Sequence, residues 1–200
     1  MKIGLKYDFN LLTIILIPVG VAISVVGYQM STILKLPIFI DQIGTLMISM
    51  IAGPWVGMTA GLLGNFVNGM VSPIAFGYII VSMLIGLVSG YLSKWKWYTN
   101  IIGVLIGCAI LNIVSAVSAA VVTVFVFGGV TGAGTDLLTA IFLASGQALW
   151  ESVLSTNMIS GTINTIVNFI AAWIIVKRIP DRFLVKMNYG TSYIRLKGEE

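Results

Sequence analysis

Four long apolar runs mark the chain, at residues 11–34, 76–92, 100–127 and 157–176. Each approaches the roughly 20 residues that a helix needs to cross the hydrocarbon layer of a bilayer. A fifth stretch, 41–70, is also apolar but is broken at Gly53-Pro54, where proline removes a backbone donor and glycine loosens the turn. It predicts two short helices, 41–52 and 55–70. Residues 136–156 are apolar enough to enter a membrane, yet they carry Gln147 and Glu151 and are interrupted by Gly146. The pattern predicts an all-α integral membrane protein of six transmembrane helices, with 136–156 folding in and out as a re-entrant or interfacial external segment.

Composition supports the bilayer as solvent. Hydrophobic residues make up 58% of the 200 and charged residues only 9%, far below the quarter or so with which soluble domains cover themselves. Charge then orients the spans. All of the eleven Lys and Arg except Lys35 fall in three clusters, at residues 2–6, at 94–96 and in the tail from Lys177 to Lys197. The positive-inside rule asks all three to be cytoplasmic, and six spans satisfy it where seven would not. The expected organisation is a cytoplasmic N-terminus (1–10), a six-helix membrane domain (11–177) and a basic cytoplasmic tail (178–200). The first run reads as a retained helix, since no small-residue cleavage site follows it.

Histidine is absent and cysteine occurs once, at Cys108 inside an apolar run. Neither metal catalysis nor histidine acid–base chemistry is expected, and Cys108 reads as a small core residue. No cofactor, metal or nucleic-acid partner is expected. The loop Gly128-Gly-Val-Thr-Gly-Ala-Gly134 has neither the dinucleotide fingerprint nor a P-loop lysine and reads as a hinge or lid.

Polar side chains inside spans are the informative ones, because each costs free energy in lipid. Asn65 and Asn68 are three apart on one helix face, and Asn157, Asn164 and Asn168 share another. Either they cross-link helices or they face a cavity. Asn112 and Asn168 fit cross-links better. Asn65, Asn68, Gln147, Trp150, Glu151, Asn157 and Asn164 are the candidate substrate-binding set: convergent amides, one carboxylate and an aromatic wall suit a small polar ring. Asp41 and Asp136 read as helix N-caps. On the first helix Gly20, Ser24, Gly27 and Ser31 recur at spacings of four, three and four, with Thr13 one heptad back. Such a stripe lets another helix approach closely, within this chain or on a separate subunit.

The arrangement resembles the S component of an energy-coupling factor (ECF) vitamin transporter. The resemblance spans residues 11–182 and rests on six helices, the Ala52-Gly53-Pro54-Trp55 turn and the small-residue stripe. The family's helix-one motif is Ala-x-x-x-Ala, here replaced by Gly20 and Ser24, and it implies docking of the coupling protein. The stretch LPIFIDQIGTLMISMIAGPWVG (36–57) followed by GNFVNG (64–69) is similar to S components for pyridoxine or hydroxymethylpyrimidine. The family implies no enzyme activity, but a vitamin bound from outside, a membrane scaffold (T) subunit and two cytoplasmic ATPase subunits. Cations are missing from the outward half apart from Lys35, so a neutral or weakly basic ring is expected, stacked near Trp150 with Glu151 accepting from it. Pantothenate or another vitamin is the alternative ligand, and a membrane sensor domain without transport the alternative class.

Overall fold

The structure is a computed structural model that describes residues 8–34, 36 and 38–194. Every element among them is helical: α1 (Leu11–Ile33), α2 (Ile43–Ala52), α3 (Pro54–Val71), α4 (Ile74–Gly77), α5 (Ile79–Lys94), a 3-10 turn (Trp97–Thr99), α6 (Ile101–Phe125), α7 (Asp136–Ala144), α8 (Leu149–Arg178), α9 (Asp181–Leu184) and α10 (Thr191–Ile194). Three of them, α1, α6 and α8, are long and apolar enough to cross a membrane, and α2 and α5 are shorter apolar helices. Large exposed hydrophobics such as Ile15, Ile102 and Ile170 on these helices suit contact with lipid rather than water.

The core gathers around α2, whose residues from Gly44 to Ala52 are all buried. Contact with α1 is possible because both helices are thin where they cross. A Cβ on Gly27 would fall onto the carbonyl of Ile40, and one on Gly44 onto the carbonyl of Gly20. Backbone therefore meets backbone, as small residues allow in membranes. The small-residue stripe is used here. Gly20, Ser24, Gly27 and Ser31 are all buried inside the chain, and Ser31 accepts from the N–H of Ile40 at 3.2 Å. The docking surface expected on this stripe is thus an internal helix contact. Thr13 belongs to a capping box with Asn10, its N–H on the Asn10 side chain at 2.8 Å.

The chain reverses between α2 and α3 at Gly53, whose φ of 100° a side chain would resist, and Pro54 then opens α3. The tail packs against this turn. Tyr189 lies on Gly53, donates its hydroxyl to Asp8 at 3.0 Å and its N–H to Ile51 at 3.4 Å. Tyr193 donates to Ser93, which donates to the Met50 carbonyl at 2.7 Å. Burial pushes the Asp8 carboxyl above its ordinary value, while Tyr189, the Trp55 N–H and Lys94 pull it back. From residue 181 to 194 the basic tail packs on the folded body, with Leu184, Met187, Tyr189 and Tyr193 buried.

Two boundaries differ from the expectation. Residues 136–156 hold α7, a turn at Gly146 with φ of 92°, and the first turns of α8. The last long helix begins at Leu149 rather than at 157 and runs for 30 residues. Polar Glu151, in the first turn of α8, weakens the hydropathy signal there without breaking the helix, while Gln147 lies in the turn before it. The run expected at 76–92 splits into α4 and α5 around Tyr78.

Candidate functional site

At the end of the molecule opposite the tail, the helices enclose a cavity of about 480 Å³. That falls within the range of small-molecule sites. Its walls come from α1 (Tyr28, Ser31, Thr32), the connection into α2 (Leu36, Phe39, Asp41, Gln42), Asn65 of α3, Tyr78, Ser82 of α5, and Ser115 and Thr123 of α6. The loop at 131–135, Asp136 and Thr139 complete one side, and Thr156, Asn157, Ser160 and Asn164 of α8 another.

The connection between α1 and α2 is held by α8. Asn164 Oδ1 accepts from the N–H of Phe39 at 3.0 Å, Asn168 Oδ1 from the N–H of Gln42 at 3.0 Å, and Asn168 Nδ2 donates to the Phe39 carbonyl at 2.7 Å. Asn168 is the cross-link expected of it, and so is Asn112, which donates to Thr162 at 2.8 Å between α6 and α8. Asn164 lines the cavity while its oxygen fixes the wall. Asp41 stands between the two stapled N–H groups but caps nothing, because α2 starts behind Gln42 without a side-chain cap bond. Asp41 lies outside both helices and is half-buried; its Oδ1 is fully enclosed and has no hydrogen-bond partner among the described residues. Burial pushes its carboxyl up to about 6.

Asp136 is not an N-cap either, since Thr135 holds that place. Its carboxylate accepts from the N–H groups of Thr131 and Gly132 at 2.9 and 2.6 Å and from the Thr131 hydroxyl at 3.0 Å. It ties the glycine loop over the cavity. Tyr78 braces the far wall, its hydroxyl 2.7 Å from that of Thr123 and its ring stacked on Phe127.

The candidate set divides. Asn65, Asn157 and Asn164 line the cavity. Asn65 is only 5% exposed and has no hydrogen-bond partner among the described residues, and the amide nitrogen of Asn157 is enclosed without one. Asn68 is fully buried beneath, with neither amide atom bonded, and does not line the cavity. Gln147, Trp150 and Glu151 are exposed and lie outside it. The continuous α8 explains this: Glu151 falls on the same outward stripe as Met158 and Thr162, and Trp150 rests against Phe125, itself exposed at the end of α6. Lys35 lies outside the described residues.

Sequence reasoning passed over Tyr28, Tyr78 and the hydroxyl residues of the wall. A signal for part of it was present. Thr156, Ser160, Asn164 and Asn168 recur every four residues along one face of α8. Hydroxyls carry little weight in a membrane helix because they can bond their own backbone, as Ser160 does to the Thr156 carbonyl at 2.8 Å.

A partly open cavity, largely apolar but set with amide, hydroxyl and carboxyl side chains, among apolar, membrane-length helices, with no cluster of metal-ligating side chains among the described residues, suits a membrane protein built to hold a small molecule. The model of the family "ECF transporter, substrate-specific component" matches residues 12–176, and the chain belongs to that family. It is the substrate-binding membrane subunit of an ECF importer and not an enzyme. No curated protein and no solved structure matches the chain significantly.

Proposed function

We propose that this subunit captures a small neutral or weakly basic vitamin, a hydroxymethylpyrimidine- or pyridoxine-like ring, and delivers it through a shared T scaffold driven by two ATPase subunits. The observation that carries this reading is the cavity lining, where three asparagines and the carboxylates of Asp41 and Asp136 stand without any Lys or Arg among the described lining residues. An anionic vitamin would want such a cation, although backbone N–H groups also bind anions. Asn65 and Asn157 are the proposed hydrogen-bonding groups, with Tyr28 and Tyr78 supplying the aromatic walls once assigned to Trp150. The chain would span the membrane six times with both termini cytoplasmic. Lys94, Lys96, Lys177 and Arg178 lie at the end away from the cavity, which the positive-inside rule makes the inner one. The scaffold would dock on a surface other than the helix-one stripe.

The test is to purify the tagged subunit from cells and identify by mass spectrometry both the small molecule and the proteins that come with it. A pyridine or pyrimidine vitamin together with a membrane scaffold and two ATPases is expected. Pantothenate in the cavity would overturn the ligand class, and a signalling effector in place of the ATPases would overturn the transport role.

A further inference from the structure

The two carboxylates of the cavity are in different states. Asp136 is occupied, its oxygens holding the N–H groups and hydroxyl of the glycine loop. Asp41 Oδ1 is enclosed and holds nothing. Helix capping does not explain it, since Gln42 occupies the cap position. Nor is the residue loosely placed, because Asn164 and Asn168 bond the backbone at Phe39 and Gln42 on either side of it. Burying an unpaired carboxylate is costly unless something compensates. Two more unbonded groups belong to residues of the same wall: Asn65, only 5% exposed, lines the cavity without a partner among the described residues, and Asn157 lines it with its amide nitrogen enclosed and unbonded among them.

We infer that Asp41 is the counter-charge for a protonated amine or amidine-like group on the ligand, and so the residue that sets specificity for an amine-bearing ring over its neutral analogue. The inference rests on the vitamin-ring reading above and narrows it. Asn65 and Asn157 would then bond the neutral polar groups of the same ring. Among the described residues, the titratable groups that line the cavity beside Asp41 are Asp136, Tyr28 and Tyr78, none of them a cation. A carboxyl that burial has pushed up to about 6 takes a proton easily when empty, so proton and ligand cation compete for it.

The experiment compares pyridoxamine with pyridoxine, the same ring with an ammonium in place of one hydroxyl, by calorimetry on the purified full chain. Wild type should bind pyridoxamine at least about tenfold more tightly, the value of a hydrogen bond to a charged group. Asp41→Asn should erase that preference by weakening pyridoxamine alone. As a readout that needs no substitution, the wild-type preference should shrink as pH falls below about 6, where Asp41 becomes protonated. Ring binding with no amine preference, or a preference that survives Asp41→Asn, overturns this inference and leaves the ring reading intact. Binding of pantothenate to the exclusion of both rings overturns the ring reading and this inference with it.

Discussion

The two ends of the molecule differ in how many of their buried polar groups are paired, although Asp136 at the cavity is bonded and Trp173 Nε1 away from it is not. Around the tail they form a connected set: Tyr189 on Asp8, Tyr193 on Ser93 and Ser93 on Met50, with the Ser49, Ser89 and Tyr98 hydroxyls joined beside them. Around the cavity Asp41 Oδ1 and the amides of Asn65 and Asn157 are enclosed or nearly so and bond nothing. A buried polar group stabilises a fold only when paired, and otherwise costs about 1–3 kcal/mol. The difference teaches where the chain is built to hold itself and where it is built to hold something else.

The strongest way to break this comparison is at the helix crossing that joins the ends. Gly27→Leu must push α1 away from the Ile40 carbonyl, and it should lower stability by about 3 kcal/mol or more, read as thermal unfolding in detergent. Gly132→Ala, in the loop over the cavity, meets open space and should cost only the about 1–2 kcal/mol of its left-handed backbone, where φ is 76°. Equal melting temperatures for the two variants would mean that the crossing is not as close as described. At the tail, Tyr189→Phe keeps the ring on Gly53 and removes one bond to Asp8, for an expected loss of about 1.5–3 kcal/mol. An unchanged melting temperature would show the tail to be dispensable. The smallest loss sharpens the contrast: Asn65→Leu removes a buried amide that bonds nothing, so ligand-free stability should hold or rise, by up to about 1–3 kcal/mol, while ligand binding is lost. A large drop in stability without ligand would make Asn65 a structural residue.

Much of the helical layout could be read from hydropathy, because lipid demands long apolar runs and Gly53-Pro54 is a strong break. The start of α8 could not, since Glu151 looks like an interruption in one dimension and is simply part of the outward stripe in three. The site was half legible. Asn65, Asn157 and Asn164, which line the cavity, stand out in the sequence because an amide in a span has few bland explanations, whereas Asp41 reads as a cap because an aspartate before a helix usually is one. The stripe on α1 gave the right chemistry without the partner: four small residues say that something approaches closely, and only the fold shows that it is α2. The tail gave no signal at all, as Tyr189 and Tyr193 stand in a short polar stretch without periodicity.

The bond between Asp8 and Tyr189 joins residues 181 positions apart. During synthesis the first leaves the ribosome long before the second exists. Throughout that interval Asp8 and the turn at Gly53 wait uncovered, whatever the membrane helices have already done. The tail-end seam therefore closes only once residue 189 has been made, after all of the long helices, and a chain cut short before it leaves the Gly53 turn bare in one place.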